Sequence, residues 1–130
     1  MSVQIEVSYG ELLDKITILE IKSQRMTDPQ KLANVGRELA GLNRVWAGIE
    51  PGAVAAEVAD TRRALRAVNE RLWDIEDDIR QQEREQRFDA AFIALARSVY
   101  QVNDERSRHK RRIDELLGST LVEEKSYAPY

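Results

Sequence analysis

No cysteine occurs among the 130 residues. That absence removes disulfide staples, thiolate nucleophiles and cysteine-ligated zinc together, and it agrees with a reducing compartment. Histidine is nearly as scarce. His109 stands alone, and one imidazole does not build a metal site; a half-buried structural role is expected for it. Long apolar runs are missing too: the longest, Ala90 to Ala96, falls far below the roughly 20 residues a bilayer span requires. The start, Met1 to Glu6, lacks the basic and apolar regions of a secretion signal, so the expected location is cytoplasmic. There is no strong excess of one charge. A net charge of −3 argues against a general polyanion binder, and nucleic acid is not an expected partner. No glycine-rich phosphate loop, nucleophile elbow or His-Glu-x-x-His motif is present. The sequence therefore calls for no cofactor and no metal, and whether the protein is an enzyme stays undecided.

What remains is the composition of a helix-rich domain, 33% charged and 42% apolar with three prolines and six glycines. Val3, Ile5 and Val7 alternate with polar residues, which predicts a short N-terminal strand. Ser8 is placed to cap a first helix over about residues 11–26, with Glu11 at capping-box spacing. That helix carries Leu12, Leu13, Ile16, Ile18, Leu19 and Ile21 around most of its girth, so it must be covered on several sides, by other helices or by a second subunit. Asp28-Pro29 opens a second helix to about residue 49, and the short link makes the two an antiparallel hairpin. Gly36 is expected to allow close approach by Leu19.

An apolar seam then runs through Val58, Leu65, Val68, Leu72, Ile75 and Ile79, and resumes one position early at Phe88 and Phe92. The slip in phase predicts a break near residue 86, a helix over 53–84 folded against one over 89–117, and Gly118 as the stop. Equal rise along both helices brings Trp73 level with Tyr100 and Glu76 level with Arg97. It also gathers Arg62, Arg63 and Arg66 with Arg106, Arg108, Lys110 and Arg111 at the open end. Neighbouring carboxylates, among them Glu57, Asp60, Asp104, Glu105, Asp114 and Glu115, are expected to neutralise that cluster. Asp74, Glu76, Asp77 and Asp78 read as a solvated acidic face.

Two blocks resemble a known family: Ser8 to Lys22 (SYGELLDKITILEIK), and Phe92 to Tyr100 (FIALARSVY) with Asn103-Asp104 and Leu121 to Tyr127 (LVEEKSY). The family is an uncharacterised bacterial domain of unknown function. The resemblance implies a setting near cell-surface polysaccharide or glycosyl transfer, and no established activity. It directs attention to Asp14, Lys15, Arg97, Asn103, Lys110, Glu123, Glu124, Lys125 and Tyr127 as candidate binding residues, to which the hairpin register adds Glu76. So polar a tail has two explanations: a ligand pocket where it crosses the bundle, or a polar network that docks it, with Glu124 and Lys125 paired to helix residues. A docked tail is the expected arrangement.

The expected fold is mainly α: two antiparallel helical hairpins in a single coiled-coil-like domain, with a short N-terminal strand and an ordered C-terminal tail, assembled as a homodimer. The expected function is a non-enzymatic interaction or accessory protein with a possible protein partner. The alternative is a helical enzyme or binder for a phosphorylated or nucleotide-linked sugar, with Arg97, Lys110 and Lys125 as anion contacts and Glu76 or Glu124 as base.

Overall fold

A computed structural model describes residues 1–130 as four helices: α1 (Tyr9–Arg25), α2 (Pro29–Ala47), α3 (Ala55–Arg84) and α4 (Ala90–Leu117), with a single 3₁₀ turn at Gly52–Val54. Their ends follow from local chemistry. The Ser8 hydroxyl accepts from Glu11 N–H at 3.1 Å. Asp28 accepts from the N–H groups of Gln30 and Lys31, and Pro29 opens α2, where its missing donor costs nothing. The slip in phase near residue 86 is a real break: Gln86 turns the chain at φ 53°, and Asp89 caps α4 through Phe92 N–H. Gly118 ends α4 in the left-handed region that favours glycine.

No strand forms. Residues 1–7 form no regular element and join no backbone ladder, and Val3 and Ile5 stay exposed. The alternation of Val3, Ile5 and Val7 is matched by no edge to pair with. Leu121 and Val122 of the tail share a shallow groove with Val7 but form no backbone bond to it.

α1 is the centre of the molecule. Leu12, Leu13 and Ile16 pack with Val58 and Leu65 of α3 and Ile113 of α4, and Leu39, Leu42 and Trp46 of α2 close over the same cluster. Its wide apolar surface is therefore covered within one chain. Gly36 does not serve the purpose expected of it, since nothing lies within 4 Å of a Cβ built there. The close approach occurs at Gly10 instead, where a Cβ would sit 2.3 Å from the Lys110 carbonyl oxygen. Only glycine lets α1 and α4 meet at that point.

α3 and α4 run antiparallel, tied by Arg71 to Glu105 (2.9 Å) and Arg112 to Glu57 (3.1 Å). Those two ties keep close to the expected register, but the side chains expected level with one another take other partners. Trp73 faces Arg25 of α1, 5.9 Å from its ring, and Tyr100 stacks edge-on with Tyr130 of the tail. Glu76 pairs with Arg80 on its own helix rather than with Arg97. α1 ends beside Asp74, to which Arg25 bonds. α3 continues to Arg84, roughly 15 Å farther at 1.5 Å per residue. Between Asn69 and Val102 no residue is fully buried. The distal hairpin is thus an arm of two helices with only each other for cover.

Candidate functional site

Beneath the arm, α1, α3 and α4 enclose a chain of polar groups. Asp14, 1% exposed, accepts from Arg106 Nε and Nη2 in a two-point fork and from Asn69 Nδ2 at 3.0 Å. Asn69 also donates to the Thr17 hydroxyl, which donates to the Asp14 carbonyl. The Lys110 ammonium lies 2.7 Å from Glu11, 2.8 Å from Glu123 and 3.9 Å from Asp14. Asp114 accepts the Gly10 N–H at 2.7 Å and so satisfies a donor at the start of α1. Every member has a partner. The one buried side-chain atom without one is Gln82 Oε1, far out on the arm.

The charges respond to this packing. Forked bonding to Asp14 raises the Arg106 pKa against the cost of burial. Burial pulls the Lys110 ammonium down, but hydrogen bonds to Glu11 and Glu123 with the field of Asp14 outweigh it, and its pKa rises. Burial raises Asp114 despite its bond from Gly10. Lys110 holds Glu123 below the usual carboxylate range. A carboxylate and two cations that are locked together in this way form a positioning network; none is left with an open coordination site or a poised proton.

The tail follows α4 in the opposite direction. Glu123 meets Lys110, Glu124 lies 3.7 Å from Arg111, and the Tyr130 hydroxyl donates to Asp104 at 2.6 Å. Lys125 has no carboxylate partner; its ammonium lies 5.8 Å from the Tyr127 ring. Two cavities open between tail and helix. One, about 550 Å³, is lined by Val99, Tyr100, Asn103, Asp104, Lys125, Tyr127 and Tyr130. The other, about 170 Å³, has only polar lining, including Ser107, Arg108 and Lys125.

The candidates chosen from sequence therefore separate. Asp14 and Lys110 belong to the buried network. Asn103, Lys125 and Tyr127 line the aromatic cavity, and Lys110 and Lys125 line the polar one. Glu124 reaches Arg111 beside them. Glu76 lies in a different cleft, of about 370 Å³ among α1, α3 and α4, which Asn103 also lines. Lys15 is exposed near the N-terminal segment, and Arg97 is exposed on the arm. The basic cluster does not form as one patch. Arg62 and Arg66 turn to Glu20, Arg63 to Asp60 and Arg106 to Asp14. Thr17, Asn69, Tyr100 and Tyr130 were missing from the sequence reading of the site. Thr17 and Asn69 carried a legible signal, being polar residues in line with buried positions of their helices.

Residues 3–129 match a family of unknown function (DUF6165), and the chain belongs to it. No curated protein and no solved structure matches.

Proposed function

We propose that this member of the family is a non-enzymatic binding module whose working surface is the face made by α4 and the C-terminal tail. One observation carries the reading. The buried ionisable groups are all closed by protein partners, whereas the tyrosines and cations where α4 meets the tail line open cavities. Catalysis by proton transfer needs a group within reach of substrate and not already committed, and Asp14, Arg106 and Lys110 are committed. The setting, as an accessory in bacterial cell-surface polysaccharide assembly, comes from the resemblance alone and is an associational warrant. A homodimer would have to use a face other than α1; the exposed Val3 and Ile5 beside Val45 of α2 and Ile49 just past its end favour the N-terminal segment.

The rival enzyme for a phosphorylated sugar is disfavoured on both of its candidate bases: Glu76 and Lys125 line separate cavities, and Glu124 lies against Arg111. A thermal-shift screen against phosphorylated and neutral small molecules, with product analysis of every hit, tests the proposal. Binding at a hundredfold excess over Kd stabilises by about 3 kcal/mol. A shift that Lys125→Ala abolishes, with the ligand recovered unchanged, is the expected result. Turnover of any ligand would sink the non-enzymatic reading.

A further inference from the structure

The two cavities beside the tail share a wall. Lys125 lines both, so an aromatic chamber and a cationic one lie side by side along α4. The chamber of about 550 Å³ is within the usual range for a small-molecule site. It holds three tyrosines together with Asn103 and Asp104. The smaller cavity has four cations, Arg108, Lys110, Arg111 and Lys125, against two carboxylates, Asp114 and Glu123. Lys110 and Arg111 are already held by Glu123 and Glu124. Arg108 and Lys125 are the two that remain for an outside anion. Lys125 also stands at the junction, its ammonium beside the Tyr127 ring, and Arg108 lines the same polar cavity as Lys125.

Each feature narrows the ligand. A flat π-system is what a tyrosine-walled chamber stacks well. An aliphatic chain there would offer nothing to the Asn103 amide N–H groups or to the Asp104 carboxylate oxygen that the Tyr130 hydroxyl leaves free, and burying them so costs free energy. An organic cation would suit the tyrosines but meets two uncommitted positive charges next door. A bare oxyanion would satisfy Arg108 and Lys125 and leave the chamber unused. A ring bearing hydrogen-bond donors and carrying a phosphate uses both. Resting on the binding-module reading above, we infer that the α4–tail face binds a nucleoside phosphate, with base or ribose among Tyr100, Asn103, Asp104 and Tyr127 and phosphate between Arg108 and Lys125.

Isothermal titration of the full chain with UDP, ADP, uridine, glucose 1-phosphate and pyrophosphate tests this, with amide shifts recorded by NMR. Tyr127 and Lys125 are exposed, so Tyr127→Ala and Lys125→Ala leave the fold intact. At least one nucleoside diphosphate is expected to bind ten times or more tighter than pyrophosphate, glucose 1-phosphate or uridine. Tyr127→Ala should weaken that diphosphate about tenfold, the loss of one stacked ring, and leave pyrophosphate unchanged; Lys125→Ala should weaken both. Equal binding of pyrophosphate or glucose 1-phosphate, with Tyr127→Ala silent, overturns the nucleoside assignment. If those ligands still shift amides between Asn103 and Arg111, the face remains a binding surface. No shift there with any probe overturns the nucleoside inference and removes the support for the α4–tail surface as well.

Discussion

The two halves of the α3–α4 hairpin share one apolar seam and have very different surroundings. Near the open end, Val58, Leu65, Val68, Val102 and Ile113 are buried because α1 lies across them and α2 across α1. Toward the turn, Leu72, Ile75, Ile79, Phe92 and Leu95 continue the same seam, yet each is only half-buried, and Phe88 and Ile93 are exposed. A seam of one period thus gives a core where a third helix covers it and a marginal two-helix arm where none does. Isolated helices draw most of their stability from such tertiary cover. The polar residues divide likewise. At the covered end Asp14, Asn69 and Arg106 interlock, while on the arm Glu76 and Arg80 form an exposed pair of the kind worth about 0.5 kcal/mol or less.

The sharpest way to break this comparison is at Asp14. Asp14→Ala strands Arg106 without its fork and Asn69 without its acceptor, and should cost about 3–5 kcal/mol in urea unfolding. A loss under about 1 kcal/mol would mean that the network contributes little. Next, Leu65→Ala should cost about 2–5 kcal/mol, whereas Ile79→Ala, made in a half-covered position of the same helix, should cost about 1. Equal losses would erase the distinction between core and arm. Native-state hydrogen exchange sharpens the same point: amides of residues 77–84 and 90–97 should exchange well before those of 61–69 and 102–113.

Gly10→Ala should cost about 1–3 kcal/mol, since its methyl group would meet the Lys110 backbone rather than a side chain that can move. Gly36→Ala should instead stabilise, by up to about 1 kcal/mol, being helical and unobstructed. The smallest effect lies in the tail. Glu123 titrates below its ordinary value because of Lys110, so its bond stabilises the docked tail above the ordinary carboxylate range, and that contribution is lost as pH falls through the lowered pKa. Asp114 has the opposite sign: burial raises its pKa, its ionisation costs stability at neutral pH, and the cost is relieved as pH falls through the raised value toward the ordinary one. Tyr127 and Tyr130 resonances should therefore show the tail loosening only at pH below the ordinary carboxylate range while the helices persist. Glu123→Gln should show a loosened tail already at neutral pH.

Much of the architecture was legible because it rests on short-range rules. Ser8, Asp28 and Asp89 announce helix starts by chemistry that acts within three residues, and the one-position slip before Phe88 marks the break because a helix cannot change phase without one. The N-terminal strand was misread because alternation says which face a strand would bury, not whether a neighbouring edge exists to pair with it. The candidate site was only partly legible. Lys125, Tyr127 and Asn103 stood out as polar or aromatic residues in two unusual blocks, but nothing local indicated that Tyr100 and Tyr130 would complete their cavity.

Periodicity and capping in the sequence by themselves determined the number of helices, their limits, and the need for α1 to be enclosed. Tertiary structure alone decided which glycine touches a neighbouring backbone, which arginine forks onto Asp14, and which cations stay unclaimed beside the tail. The reason is geometric. Caps and seams depend on neighbours in the chain, whereas a hydrogen bond between residues 14 and 106 depends on the angle and depth at which whole helices settle, which no local stretch encodes.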